Sequence, residues 1–127
     1  MIPVKAVIYD EATLREVCII WQQRLLLSDW HVVVDIVRQW DMAGDAPTSV
    51  GQIKIVEQER CAWVKILNPV DYKPNDKYYP QDMDYILVHE LLHIWMVCAC
   101  EERYTTTEEQ AINAIAGALV AGWRGDA

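Results

Sequence analysis

From Leu14 onward, Val17, Cys18, Trp21 and Leu25 return at intervals of three or four, the period of a helix with one apolar stripe. Asp10 stands where such a helix takes its N-cap, and the pattern predicts an end near Ser28. The next run changes period. Trp30, Val32, Val34 and Ile36 alternate with His31, Val33 and Asp35, and the β-branched content predicts a strand. Positions 41–51, "DMAGDAPTSVG", have turn composition. "QIKIVE" and "CAWVKIL" then predict two further strands, joined through "QER" as a tight hairpin that lacks the usual Asn-Gly signal.

Positions 68–82, "NPVDYKPNDKYYPQD", form a long loop rich in Pro, Asp, Asn and Tyr, and loops of that length in compact domains are often functional. Asp82 is placed to cap a helix carrying "YILVHELLHIWMV", which is apolar nearly all round and therefore predicted to be buried. After "CACEERY", a Thr run opens a last helix, "EEQAINAIAGALVAGW". The order is helix, three strands, two helices, without repeats or a linker. It predicts one α+β domain over residues 1–127, with a small, mostly antiparallel three-stranded sheet.

The composition narrows the function. The chain has 127 residues, 53% of them hydrophobic, enough for one sizeable core. Its formal net charge of −8 repels phosphate backbones and anionic lipid, and its 11 Lys and Arg are scattered, so neither nucleic acid nor a membrane surface is an expected partner. The opening "MIPVKAVIYDEA" turns acidic too early for a signal segment, and "AINAIAGALVAGW" is too short to span a bilayer. A cytoplasmic protein with its four cysteines reduced is the expectation.

The chemistry concentrates in "HELLH". Residues four apart on a helix lie one turn apart, so His89 and His93 point the same way and can close on one zinc ion. Glu90 sits about 100° further round, too far to coordinate but able to reach a water on the metal. Two satisfied core histidines on a buried helix would be the plain alternative. Against it, two of only three histidines fall at ligand spacing, and two buried His plus a buried Glu need partners that a metal and its water supply. Chance occurrence of the pattern in a chain this long is roughly one in a few hundred at average residue usage.

"HELLHIW" resembles the active-site helix of the zincin metallopeptidases, and the order helix, short strands, HExxH helix is similar to their minimal core. The resemblance implies one Zn2+ per chain, a peptide or protein substrate, and Glu90 as general base. The metzincin pattern is excluded, because it would need Gly at position 96 and His at position 99, where Met96 and Ala99 stand. No histidine follows His93, and the only downstream aspartate is Asp126 at the terminus. Among the glutamates, Glu101 and Glu102 lie about 12–14 Å along the axis if the helix continues, too far from His93. Glu108 and Glu109 open the next helix. "EQAINAIAGALV" resembles the glutamate helix of gluzincins, most closely the ImmA/IrrE-type peptidases, with Glu109, Ile112, Asn113, Ala116 and Leu119 in the pattern. The resemblance implies Glu109 as third ligand. Glu108 and Glu109 also fit capping boxes with Thr105 and Thr106, so a purely structural role stays open at this point.

Other signals are weaker. Cys98 and Cys100 could offer a thiolate, though cysteine is more often a small buried hydrophobe. Tyr72, Tyr78, Tyr79 and Tyr104 are candidates to donate a hydrogen bond to an oxyanion, a role that larger gluzincins fill from a C-terminal subdomain not expected in a chain of this length. A zincin-fold module that binds metal without hydrolysis is the alternative function. An extended substrate would add to an edge strand, with "CAWVKIL" the expected edge. His31 is expected to face solvent, and "RGD" at Arg124 to Asp126 is expected to be chance.

Overall fold

The computed structural model describes residues 7–42, 49–73, 81–99 and 106–125. Helix α1 spans Glu11–Arg24, capped as expected by the Asp10 carboxylate, which accepts from the Thr13 N–H at 2.7 Å. Of the stripe the spacing predicted, Leu14, Cys18, Trp21 and Leu25 are buried and Val17 is half-buried against the core. The helix stops before Ser28 because Leu26 turns to φ 59°, in the left-handed region that ends helices. The buried Gln22 amide then bonds the Leu27 and Trp30 carbonyls and holds the chain as it enters the sheet.

The strands are β1 (His31–Val37), β2 (Gly51–Val56) and β3 (Cys61–Leu67), in the order β1-β3-β2. The α+β architecture is as expected, and the sheet itself is mixed: β2 and β3 form the antiparallel hairpin, while β1 and β3 run parallel. The hairpin turns through a 3-10 segment, Glu57–Glu59, and Arg60 at φ 52°. One expectation needs correcting. Cys61–Leu67 is the central strand and not an edge, with Ala62, Val64, Ile66 and Leu67 all buried. Alternation reports which face of a strand is covered, not which neighbours flank it.

The register puts Val32, Val34 and Ile36 in line with Ala62, Val64 and Ile66, and these with Ile55, Ile53 and Gly51. That face carries the core; His31 on the other is exposed, as expected. The two sheet edges differ. Along β1, α1 reaches over with two side chains: the Glu11 carboxylate accepts from Ile36 N–H at 3.0 Å, and Arg15 Nε donates to the Val34 carbonyl at 3.3 Å. This edge is closed to another strand.

Helix α2 (Met83–Ala99) begins at Asp82, whose carboxylate accepts from Tyr85 N–H at 3.2 Å. It is buried on nearly every side through Leu92, His93 and Ile94, as its apolar sequence predicted. Helix α3 (Thr106–Arg124) packs along it in the opposite direction. At the start of α2, Arg124 bonds Asp82 at 2.5 and 2.7 Å and Asp84 at 2.8 Å; Tyr9 Oη and Trp21 Nε1 also donate to Asp84. A guanidinium held this way is not displayed as part of an adhesion tripeptide; Asp126 lies outside the described residues. Among the described residues, no helix is long and apolar enough to cross a membrane.

Candidate metal centre

The antiparallel pairing of α2 and α3 brings the first turn of α3 over the middle of α2. His89, His93 and Glu109 meet there, the group in the described residues able to hold a metal ion. The Glu109 carboxylate lies 3.2 Å from His89 Nε2 through Oε2 and 2.9 Å from His93 Nε2 through Oε1.

The far nitrogens of both rings are taken. His89 Nδ1 lies 2.9 Å from Asn113 Oδ1, which also accepts from Tyr85 Oη at 2.9 Å. His93 Nδ1 lies 3.2 Å from Glu108 Oε1. An amide oxygen and a carboxylate only accept, so this network assigns the proton of each neutral ring to Nδ1. Both Nε2 atoms then present lone pairs, and they present them to the lone pairs of a carboxylate. Acceptors do not approach to about 3 Å without a cation between them. Protonating His89 is the costly way to supply one there: burial, first, and the neighbouring His93 hold its pKa below the ordinary value, against the pull of Glu109. A metal ion would supply the cation with the rings neutral. Tetrahedral ligands bound at ~2.0–2.1 Å lie ~3.3 Å apart, close to the separations seen. The donor set therefore fits zinc, with Nδ1 partners of the kind that orient ligating histidines.

Glu90 is buried on the neighbouring flank of α2, outside the ligand group. No hydrogen bond reaches its carboxylate among the described residues. Burial, with a smaller contribution from the Glu109 charge, pushes its pKa up to about 8. It faces the first residue of β2: a Cβ on Gly51 would stand 2.8 Å from Glu90 Oε2. A carboxyl poised near neutrality beside a cation site is suited to take up and return a proton.

The other candidates separate clearly. Thr106 is already inside α3, and the Glu109 carboxylate faces the histidines, so this glutamate does not close a capping box with it. Glu108 turns to His93 Nδ1 and buttresses that ring; Thr105 lies outside the described residues. Cys98 is exposed and apart from the group, and Cys100, Glu101 and Glu102 lie outside the described residues. Tyr72 Oη is buried near Asp82, at the start of α2; Tyr78, Tyr79 and Tyr104 lie outside the described residues. Sequence reasoning missed Tyr85, the roles of Glu108 and Asn113 as ring partners, and Gly51. For Tyr85 a signal existed, since it precedes His89 by one turn on the same face. Comparison with protein-family models, curated proteins and solved structures finds no match to this chain.

Proposed function

We propose that the chain is a zinc-dependent hydrolase of peptide bonds, with zinc held by His89 Nε2, His93 Nε2 and the Glu109 carboxylate. The observation that carries this reading is the convergence of two Nε2 atoms on one carboxylate while both Nδ1 atoms face acceptor oxygens. A zinc ion held by these residues would supply Lewis acidity, polarising a carbonyl and making a water easier to deprotonate. Three protein ligands are the number that catalytic, and not structural, zinc sites use. Glu90 is the general base. It accepts the proton of the attacking water and returns it to the leaving amine, and its burial keeps bulk solvent from competing.

The substrate is an extended peptide added to β2. The β1 edge is closed by Glu11 and Arg15. On β2, the pairing of Val50 with Leu67 turns the backbone groups of Ile53 and Ile55 outward, and the strand begins beside Glu90. Main-chain pairing would give affinity and bring a peptide bond to the base end of the strand.

Metal binding without hydrolysis is the second reading, and one observation favours it. Among the described residues, the tyrosine nearest the histidines is Tyr85, and its hydroxyl is engaged by Asn113 instead of being free to stabilise an oxyanion. The test is metal analysis of protein purified without added metal or chelator, followed by Glu90→Gln. About one zinc per chain, retained by Glu90→Gln with hydrolysis of a peptide library lost, supports the hydrolase. Zinc without cleavage by either protein supports the binding module. Metal-free protein with a melting curve indifferent to chelator removes both.

A further inference from the structure

Gly51 opens β2, and nothing about its backbone requires glycine. Its φ lies outside the left-handed region, and it pairs with Ile66 in regular antiparallel register. Glycine in a strand costs conformational entropy and contributes no packing, so its presence there calls for a close approach. The approach is to α2. A Cβ at position 51 would meet Ile86 Cγ2 at 2.7 Å, Glu90 Oε2 at 2.8 Å and Glu90 Cδ at 3.4 Å. Contacts under 3.0 Å force something to move, and little here can. Ile86 is buried in the core, and Glu90 is buried beside it.

The strand is also pinned. Leu67 N–H donates to the Val50 carbonyl at 3.0 Å, Ser49 Oγ donates to the Gly51 carbonyl at 2.9 Å, and Gln39 Nε2 donates to the Ser49 carbonyl at 3.3 Å. The start of the edge strand is thus held to β3 and to the segment at Gln39, and of the two side chains that a Cβ would meet, the Glu90 carboxylate is the one at the far end of a flexible chain.

We propose that Gly51 is a positioning residue: its missing side chain is the space that the Glu90 carboxylate occupies, and the pinned start of β2 sets where that carboxylate points. This rests on the reading of Glu90 as base. The space also ties the base to the strand that would receive a peptide, so the carboxylate is placed relative to the substrate backbone as well as to the ligand group.

The test is a four-protein cycle: wild type, Gly51→Ala, Glu90→Asp and the double variant. Aspartate is one methylene shorter and withdraws the carboxylate from a Cβ at position 51. The clash with Ile86 is common to both backgrounds and cancels. Urea midpoints are measured on protein stripped with chelator, zinc affinity by competition with a chromophoric chelator, and kcat and KM on a quenched-fluorescence peptide mixture. Gly51→Ala is expected to lower the midpoint and to cut kcat about 10²-fold, the scale of a misplaced general base, with much less change in KM. Zinc affinity should hold within about threefold, because no proposed ligand touches position 51. In the Glu90→Asp background the same substitution is expected to cost less than half as much in midpoint and in kcat. Equal costs in the two backgrounds, or a loss of zinc binding in Gly51→Ala, overturn the proposal. If wild type cleaves nothing, the hydrolase reading falls, and the urea cycle still decides whether Gly51 and the Glu90 carboxylate share one space.

Discussion

Glu90 gives the most demanding test of the site's electrostatics, because its effect on stability has a definite sign. The carboxyl is buried, and burial raises its pKa from 4.5 to about 8. In the metal-free folded protein the neutral form is favoured, so the folded chain holds this proton more tightly than the unfolded chain does. No penalty exists below about pH 4.5; it grows as pH climbs and levels off above about 8. At one pH unit per ~1.4 kcal/mol, the full span is on the order of 5 kcal/mol, of which about 3 is already present at pH 7. That is comparable to the whole stability of a small domain. The perturbation is Glu90→Gln, nearly isosteric and unable to titrate. The assay is urea unfolding of chelated protein at intervals from pH 5 to 9. Wild type should lose stability relative to Glu90→Gln across this window by several kcal/mol. With zinc present the trend should reverse, since ligand protons are displaced on binding and affinity rises with pH. Parallel curves for the two chelated proteins would refute the burial argument.

Glu109→Ala should abolish tight zinc binding, whereas Glu108→Ala should weaken it about 10–100-fold while leaving the ion bound, the usual cost of losing a ligand's orienting partner; competition titration separates the two. Asn113→Ala should behave like Glu108→Ala, and Cys98→Ala should bind as wild type, so release of the metal by the cysteine variant alone would reassign the site. Arg124→Met should cost about 3–5 kcal/mol in urea unfolding, because it leaves two buried carboxylates unpaired; a cost below about 1 kcal/mol would mean that water already screens them.

What could be read in advance was what local spacing encodes. The α1 stripe, the Asp10 and Asp82 caps and the facing of His89 and His93 each depend on residues within two turns of one another. The group His89, His93 and Glu109 was likewise expected, and the structure brings it together. The choice of Glu109 over Glu108 was harder. Adjacent helix positions differ by about 100°, and only the docking of α3 on α2 decides which one faces Nε2 and which reaches Nδ1. Strand order failed for a related reason. "CAWVKIL" and "QIKIVE" carry similar alternation, and their places in the sheet follow from β1 pairing across a long stretch of chain. Gly51 looked like the end of a turn-rich loop because its reason lies on α2, in a contact no window of neighbours contains.

The helix pair α2–α3 is fastened at both ends, and the two fastenings answer to different conditions. At one end Arg124 clamps Asp82 and Asp84 through direct ion pairs that need no bound ligand. At the other, two rings face a carboxylate across a gap that is comfortable only with a cation in it. The hairpin is therefore built like a clothes peg, with a permanent spring at Arg124 and jaws at Glu109. Stripping an ion held there would loosen the jaws first, and local opening should run from the first turn of α3 toward its last. On the proposed reading, sensitivity to metal starvation would in that sense be directional: the chain would give up its candidate site before it gives up its fold.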